Sequence, residues 1–244
     1  MTHRPIPTGQ ELGKTRAFAW VVDWPGWCRS AKDPLLLRAA LAAAAPRYAL
    51  VAAAAGLDLG VDPERVGPDD FAVMETVGGS ASTDFGVPGA VAEDDRRPTS
   101  AAEAARIIRI VEAAWTLFDS VVAGAPAELR KGPRGGGRDR DKMVAHCVSA
   151  DSGYATQIGL RLPVPAPTDR PAVEAERQAI LEILGRPSDG APLAGRHWPA
   201  RYAARRIAWH ALDHAWEIED KSEPAAQLLR RRGGRAPRAP WSRQ

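Results

Sequence analysis

Cysteine is scarce in this chain, whose 244 residues include two, Cys28 and Cys147, far apart in sequence. Two cysteines cannot build the disulfide framework of a small secreted protein. Long apolar runs are also missing, because no stretch reaches the roughly 18 residues of a membrane-spanning helix. Residues 1–10 lack the apolar core of a signal peptide. The alanine-rich stretch 35–57 contains charged residues and a proline, so we expect a soluble helix there, no membrane partner and a cytoplasmic protein.

Negative charge is nearly absent from the last part of the chain, where residues 223–244 hold six arginines and one glutamate. The whole chain has a formal net charge of +3, so residues 1–222 carry about −2. Arginine, glycine and proline in so short a stretch favour disorder, and we predict a basic disordered tail at 223–244. A nucleic-acid partner is not expected from a slightly acidic body, although the basic tail leaves that alternative open.

The first part of the chain predicts a small α/β domain over residues 1–85. Residues 16–22 are apolar, aromatic and β-branched, which is typical of a strand, and 71–77 form a second such run. Between them, Asp33 and Pro34 supply an N-cap and a first-turn proline for a helix that we expect to end at Ala55. The glycine- and proline-rich residues 86–98 indicate a linker.

The second part of the chain predicts four helices. Ser100 and Glu103 form a capping box before an apolar stripe with helical spacing. Glycine- and proline-rich loops separate this helix from three others. The predicted helices cover residues 100–124, 139–158, 171–184 and 198–221. Four helices of this length over 99–222 indicate an antiparallel four-helix bundle, and the fold class is therefore α+β.

Three of the five histidines fall inside these predicted helices. His210 and His214 are four residues apart, so on a helix they lie one turn above each other on the same face. His146 is midway along the second predicted helix and can face them. A single histidine on a helix is more often a hydrogen-bonded residue than a ligand. Three imidazoles in a helical core need a common partner, however, and a divalent metal ion satisfies all three.

Residues 141–146 and 209–214 resemble the histidine-bearing helices of the DinB-like metalloprotein superfamily, which includes mycothiol-dependent maleylpyruvate isomerases and related bacterial thiol transferases. The resemblance covers roughly residues 99–222. It implies that zinc or nickel is held by three protein ligands with an open coordination position. It also implies a low-molecular-weight thiol such as mycothiol as a second cofactor. Imidazole ligands alone suit zinc, nickel, copper and iron.

The segment Asp23-Trp24-Pro25-Gly26-Trp27-Cys28 resembles, more weakly, the D-x-P-G-C pattern of the N-terminal domain of HicB antitoxins. That family places the pattern between a strand and a helix, as the predicted elements do here. This resemblance covers about 60 residues and implies a fold only.

Other residues are candidates for a role beside the metal. Glu217, three residues after His214, is a candidate catalytic proton acceptor, although a solvated carboxylate is the simpler interpretation. Arg206, one turn before His210, is a candidate for binding an anionic substrate, and so are Arg134 and Arg138 in the glycine-rich loop 130–140. Cys147 adjoins a ligand but points away from it, so we expect it to be a packing residue.

Three functions remain open at this point. The first is a metal-dependent enzyme that activates a low-molecular-weight thiol, an S-transferase or isomerase acting on a small molecule. The second is a metal-dependent hydrolase that uses metal-bound water. The third is a non-catalytic binding or regulatory protein stabilised by metal. A small-molecule substrate is the expected partner, and a homodimer stays open.

Overall fold

The computed structural model describes residues 5–132 and 137–222. Over these residues the chain is an α+β protein with a four-stranded mixed sheet and six helices. The strand order is β3-β2-β1-β4, with β1 antiparallel to β2, β2 antiparallel to β3, and β1 parallel to β4. The strands are β1 (Ile6–Leu12), β2 (Ala17–Val21), β3 (Cys28–Ala31) and β4 (Phe71–Gly78).

The two predicted strands are confirmed as β2 and β4, whereas β1 and β3 were not predicted. β1 contains Pro7, Gly9 and Glu11, residues that are depleted in strands. Glu11 is fully buried, but its carboxylate accepts hydrogen bonds from Thr83 Oγ1 and from the backbone amides of residues 89 and 90. These hydrogen bonds satisfy the buried carboxyl oxygens and tie β1 to the segment after β4.

A long helix, α1 (Leu37–Ala54), packs against β2 and β3, and a 3-10 turn at 34–36 precedes it. The predicted cap is confirmed, because Asp33 accepts a hydrogen bond from the backbone amide of Leu35. Among the described residues, 34–54 is the one segment long and apolar enough, by length and composition, to cross a membrane. Its Leu41 and Tyr48 are fully buried in the protein core.

Residues 86–98, predicted as a linker, follow a short helix, α2 (Ala81–Phe85), and include a 3-10 turn at 94–96. Asp95 in this turn is buried and forms an ion pair with Arg205. The connection is thus fixed to the helices that follow it.

The four predicted helices of the second half are all present, with ends within two residues of the predicted ones. The capping box is confirmed, because Ser100 Oγ accepts from the Glu103 amide and the Glu103 carboxylate accepts from the Ser100 amide. The helices are α3 (Ala101–Gly124), α4 (Arg140–Gln157), α5 (Arg170–Leu184) and α6 (Ala200–Ser222).

α6 is the central helix, since it contacts α3, α4 and α5 and most of its residues are buried. Within the described residues, the larger hydrophobic cluster includes Ile6 and Tyr48 as well as Met143 and Leu184. The N-terminal sheet and the helices therefore share packing, and the predicted domain boundary stays a prediction. The predicted tail at 223–244 lies outside the described residues.

Candidate metal centre

The three predicted ligands come together between α4 and α6. His210 Nε2 lies 3.2 Å from His146 Nε2 and 3.2 Å from His214 Nε2. One potential ligand atom from each residue lies within 4.8 Å of the other two. The helical spacing of the last two histidines and the facing position of His146 thus produce the expected cluster.

These distances fit a divalent ion. Tetrahedral zinc with Zn–N bonds of about 2.0–2.1 Å separates neighbouring nitrogens by about 3.3–3.4 Å, close to the observed 3.2 Å. Hydrogen bonding alone explains the cluster less well. A neutral imidazole nitrogen is either a donor or an acceptor, so the single Nε2 of His210 cannot donate to one neighbour while it accepts from the other.

Burial keeps the imidazoles of His146 and His210 neutral, as metal ligands must be. His210 is only 6% exposed, and burial together with the nearby positive charges lowers its pKa well below the usual value. Burial also lowers the pKa of His146 to about 4, and the charges of His214 and Arg138 act in the same direction. Near neutral pH the nitrogen lone pairs of these two residues are therefore available to a cation.

Glu217 holds the third ligand in place. Its Oε2 lies 3.1 Å from His214 Nδ1, and its Oε1 accepts a hydrogen bond from Lys221 Nζ. The hydrogen bond with His214 is the main reason that the pKa of Glu217 falls to about 2. An ionised carboxylate on Nδ1 fixes the proton there and leaves Nε2 free for a metal, an arrangement that is common around metal-bound histidines. The predicted catalytic role of Glu217 stays a prediction.

The structure distinguishes the three arginines that were predicted to bind an anionic substrate. Arg206 is buried beside the histidines, with its guanidinium over the rings of Tyr154 and Trp209. Arg138 is exposed just before α4, and its charge contributes to the lowered pKa of His146. Arg134 lies outside the described residues.

Neither cysteine belongs to the cluster. Cys147 is buried, as expected of a packing residue, and burial raises its pKa well above the usual value. Cys28 is buried in β3, where burial raises its pKa to about 12. Both therefore carry protonated thiols, which are poor nucleophiles and poor ligands.

Two aromatic side chains beside the site were not singled out from the sequence as site residues. The ring of Tyr154 lies 5.5 Å from that of His210 and contacts the ring of Trp198 at 5.4 Å. Tyr154 follows His146 by two helical turns on α4, and this spacing was the available signal.

A separate cavity of about 300 Å³ lies between the β2–β3 turn and the helices. Its charged lining residues are largely paired with one another, including Glu103 with Arg201 and Asp95 with Arg205. No histidine lines this cavity, so it is distinct from the candidate metal centre.

No protein-family model, curated protein or solved structure matches the chain. The resemblances to DinB-like metalloproteins and to HicB antitoxins therefore stay predictions that rest on the residues named above.

Proposed function

We propose that His146, His210 and His214 hold a divalent metal ion, zinc or nickel, and that this protein uses it to activate a low-molecular-weight thiol for transfer to, or isomerisation of, a small molecule. The observation that carries this proposal is the convergence of the three histidines, in which Nε2 of His210 lies 3.2 Å from Nε2 of both His146 and His214, close to the spacing of tetrahedral ligands. Three protein ligands and an open fourth position are typical of catalytic rather than structural zinc sites. A divalent ion in such a site lowers the pKa of a bound thiol or water molecule.

The side chains around the cluster support access by a small molecule. His146 and His214 are partly exposed, whereas His210 is buried, so the cluster opens to solvent on one side. In this proposal, Glu217 is a positioning residue that orients His214. Exposed Arg138, whose charge acts on His146, adds positive charge that favours the approach of a thiolate.

The fold supports the same proposal at a coarser level. We propose that α3–α6 form an antiparallel DinB-like four-helix bundle, because the ligands lie on the two helices that the resemblance implies. For the N-terminal sheet and α1 we propose a HicB-like unit. Trp27, the second of two tryptophans in its D-x-P-G-x-C segment, is buried and donates a hydrogen bond to the Leu41 carbonyl in α1. We also propose a cytoplasmic location.

Cobalt(II) substitution tests the proposed function, because cobalt bound to a thiolate gives a charge-transfer band in the near ultraviolet. The cobalt-loaded full chain is titrated with 2-mercaptoethanol, and we expect this band to appear. His210→Ala should lose the cobalt and the band, whereas His197→Ala, a change in an exposed loop, should keep both.

Other outcomes would replace the proposal. A cobalt spectrum that does not respond to thiol, together with thiol-independent hydrolysis of esters, would indicate the hydrolase. Bound metal that raises the melting temperature without any thiol response or turnover would indicate the non-catalytic protein.

A further inference from the structure

Arg206 lies on α6 one turn before His210, and it is only 8% exposed. Its guanidinium carbon is 4.7 Å from the ring centroid of Trp209 and 5.4 Å from that of Tyr154. The Tyr154 ring is also the one that lies 5.5 Å from the imidazole of His210. The guanidinium and the histidine cluster therefore share an aromatic neighbour and lie on adjacent parts of the site.

The other buried arginines of α6 have carboxylate partners. Arg205 forms an ion pair with Asp95, and Arg201 forms one with Glu103. Arg206, in contrast, has no ion pair within 5–132 and 137–222, and its buried Nη1 has no hydrogen-bond partner there. The two aromatic rings stabilise its charge in part.

A buried guanidinium without a counter-ion is costly, and proteins normally keep one only where it has a partner or a ligand. Its planar fork of N–H donors matches the two oxygens of a carboxylate. Exposed Arg138, whose charge acts on both His146 and His210, contributes positive charge that draws anions towards the cluster.

We propose that Arg206 is the anion subsite of the metal centre and binds a carboxylate of the small molecule on which the centre acts. This inference rests on the proposed thiol-activating function, and it adds the substrate class: a compact carboxylic acid whose other end lies at the metal. The carboxylate belongs either to the thiol itself or to its reaction partner, because the recognition chemistry is the same for both.

The test compares two thiols that differ in the carboxylate. The cobalt-loaded full chain is titrated with 3-mercaptopropionate and, separately, with 2-mercaptoethanol, and the charge-transfer band gives a Kd for each. We expect 3-mercaptopropionate to bind at least about tenfold more tightly, a factor that corresponds to 1.4 kcal/mol. Arg206→Gln should abolish this preference and leave the cobalt spectrum without thiol unchanged. Arg161→Gln, which alters an exposed arginine, should keep the preference.

Two further measurements complete the design. If Arg206→Gln fails to fold, as judged by circular dichroism, Arg206→Lys takes its place, and it should bind cobalt while showing a reduced preference, since an ammonium cannot form the bidentate pair. Propionate should compete with 3-mercaptopropionate in the unaltered protein, because both place a carboxylate at Arg206, and absence of this competition would overturn the subsite. If propionate leaves the Kd of 2-mercaptoethanol unchanged, the two bind together and the subsite is assigned to a separate substrate. If propionate also weakens the binding of 2-mercaptoethanol, the subsite is assigned to the thiol.

Equal affinities for the two thiols, or a preference that persists in Arg206→Gln, would overturn the anion subsite and leave the metal centre standing. A chain that binds no cobalt, or that shows no band with either thiol, would overturn the proposed function itself. The cobalt spectrum therefore distinguishes failure of the anion subsite from failure of the proposed function.

Discussion

Replacing Asp151 by asparagine should make the protein more stable at alkaline pH than the unaltered chain. Asp151 lies on α4 with its side chain 5% exposed, and the nearest cation is Arg177 Nε at 4.0 Å. That guanidinium is already hydrogen-bonded to Asp119 through its Nη atoms. Burial therefore outweighs the attraction of Arg177 and raises the pKa of Asp151 to about 7, from 3.8.

The raised pKa of Asp151 determines how the free energy of unfolding depends on pH. The folded protein binds the Asp151 proton more tightly than the unfolded chain does, so the stabilisation is complete below pH 3.8 and is lost as the pH rises through about 7. The pKa difference of about three units, at 1.36 kcal/mol per unit, gives an upper limit of about 4 kcal/mol. An asparagine does not titrate, so Asp151→Asn should not lose this stabilisation.

Urea denaturation of the metal-free protein measures the effect, with a chelator present so that metal binding does not contribute. Part of the stabilisation is already lost at pH 5, so we expect the free energy of unfolding of Asp151→Asn, relative to that of the unaltered chain, to be about 1–3 kcal/mol greater at pH 8.5 than at pH 5. Asp141→Asn is the control on the same helix, because the Asp141 side chain is 78% exposed, and its relative stability should change by less than about 0.5 kcal/mol. If the difference in free energy of unfolding between Asp151→Asn and the unaltered chain is the same at both pH values, the reasoning is refuted.

Three further predictions concern the support of the site, the fold and the tail. Glu217→Gln should weaken metal binding about 10- to 100-fold, because the carboxylate that orients His214 is lost. Competition with a chelator measures the metal affinity, and Glu174→Gln, which changes an exposed residue, should leave this affinity unchanged. Gly26→Ala should lower the free energy of unfolding by about 1–3 kcal/mol, because Gly26 has φ +90° and a Cβ there would lie 2.7 Å from Leu212 Cδ1. Urea denaturation measures this, and an unchanged unfolding midpoint would contradict the close packing. Truncation after Glu223 should lower the melting temperature by less than about 4 °C, and a larger fall would show that the tail is structural.

The helices could be predicted from the sequence because their signals are local. Ser100 and Glu103 form a capping box within four residues, and Asp33 caps the turn before α1. β1 could not be predicted in the same way. Its Glu11 is stabilised by groups more than 70 residues away, and its pairing with β2 and β4 depends on the whole fold.

The same difference between local signals and contacts that depend on the whole fold applies to the candidate site. The spacing of His210 and His214 predicts one face of a helix, and the structure brings His146 to that face. The sequence could not show that Glu217 contacts Nδ1 of His214, since that contact depends on side-chain rotamers. Nor could it show that Arg206 lacks the carboxylate partner that the neighbouring Arg205 has. The partner of Arg205 comes from residues 86–98, which the sequence indicates only as a linker.

Metal content is the measurement that tests the central claim most directly. The protein is produced with zinc and nickel supplied, purified without chelator and analysed for elements, beside His210→Ala and His197→Ala. We expect about one divalent ion per chain in the unaltered protein and in His197→Ala, and loss of most of it in His210→Ala. Protein that folds and contains no metal, or a His210→Ala variant that keeps its full metal content, would contradict the account.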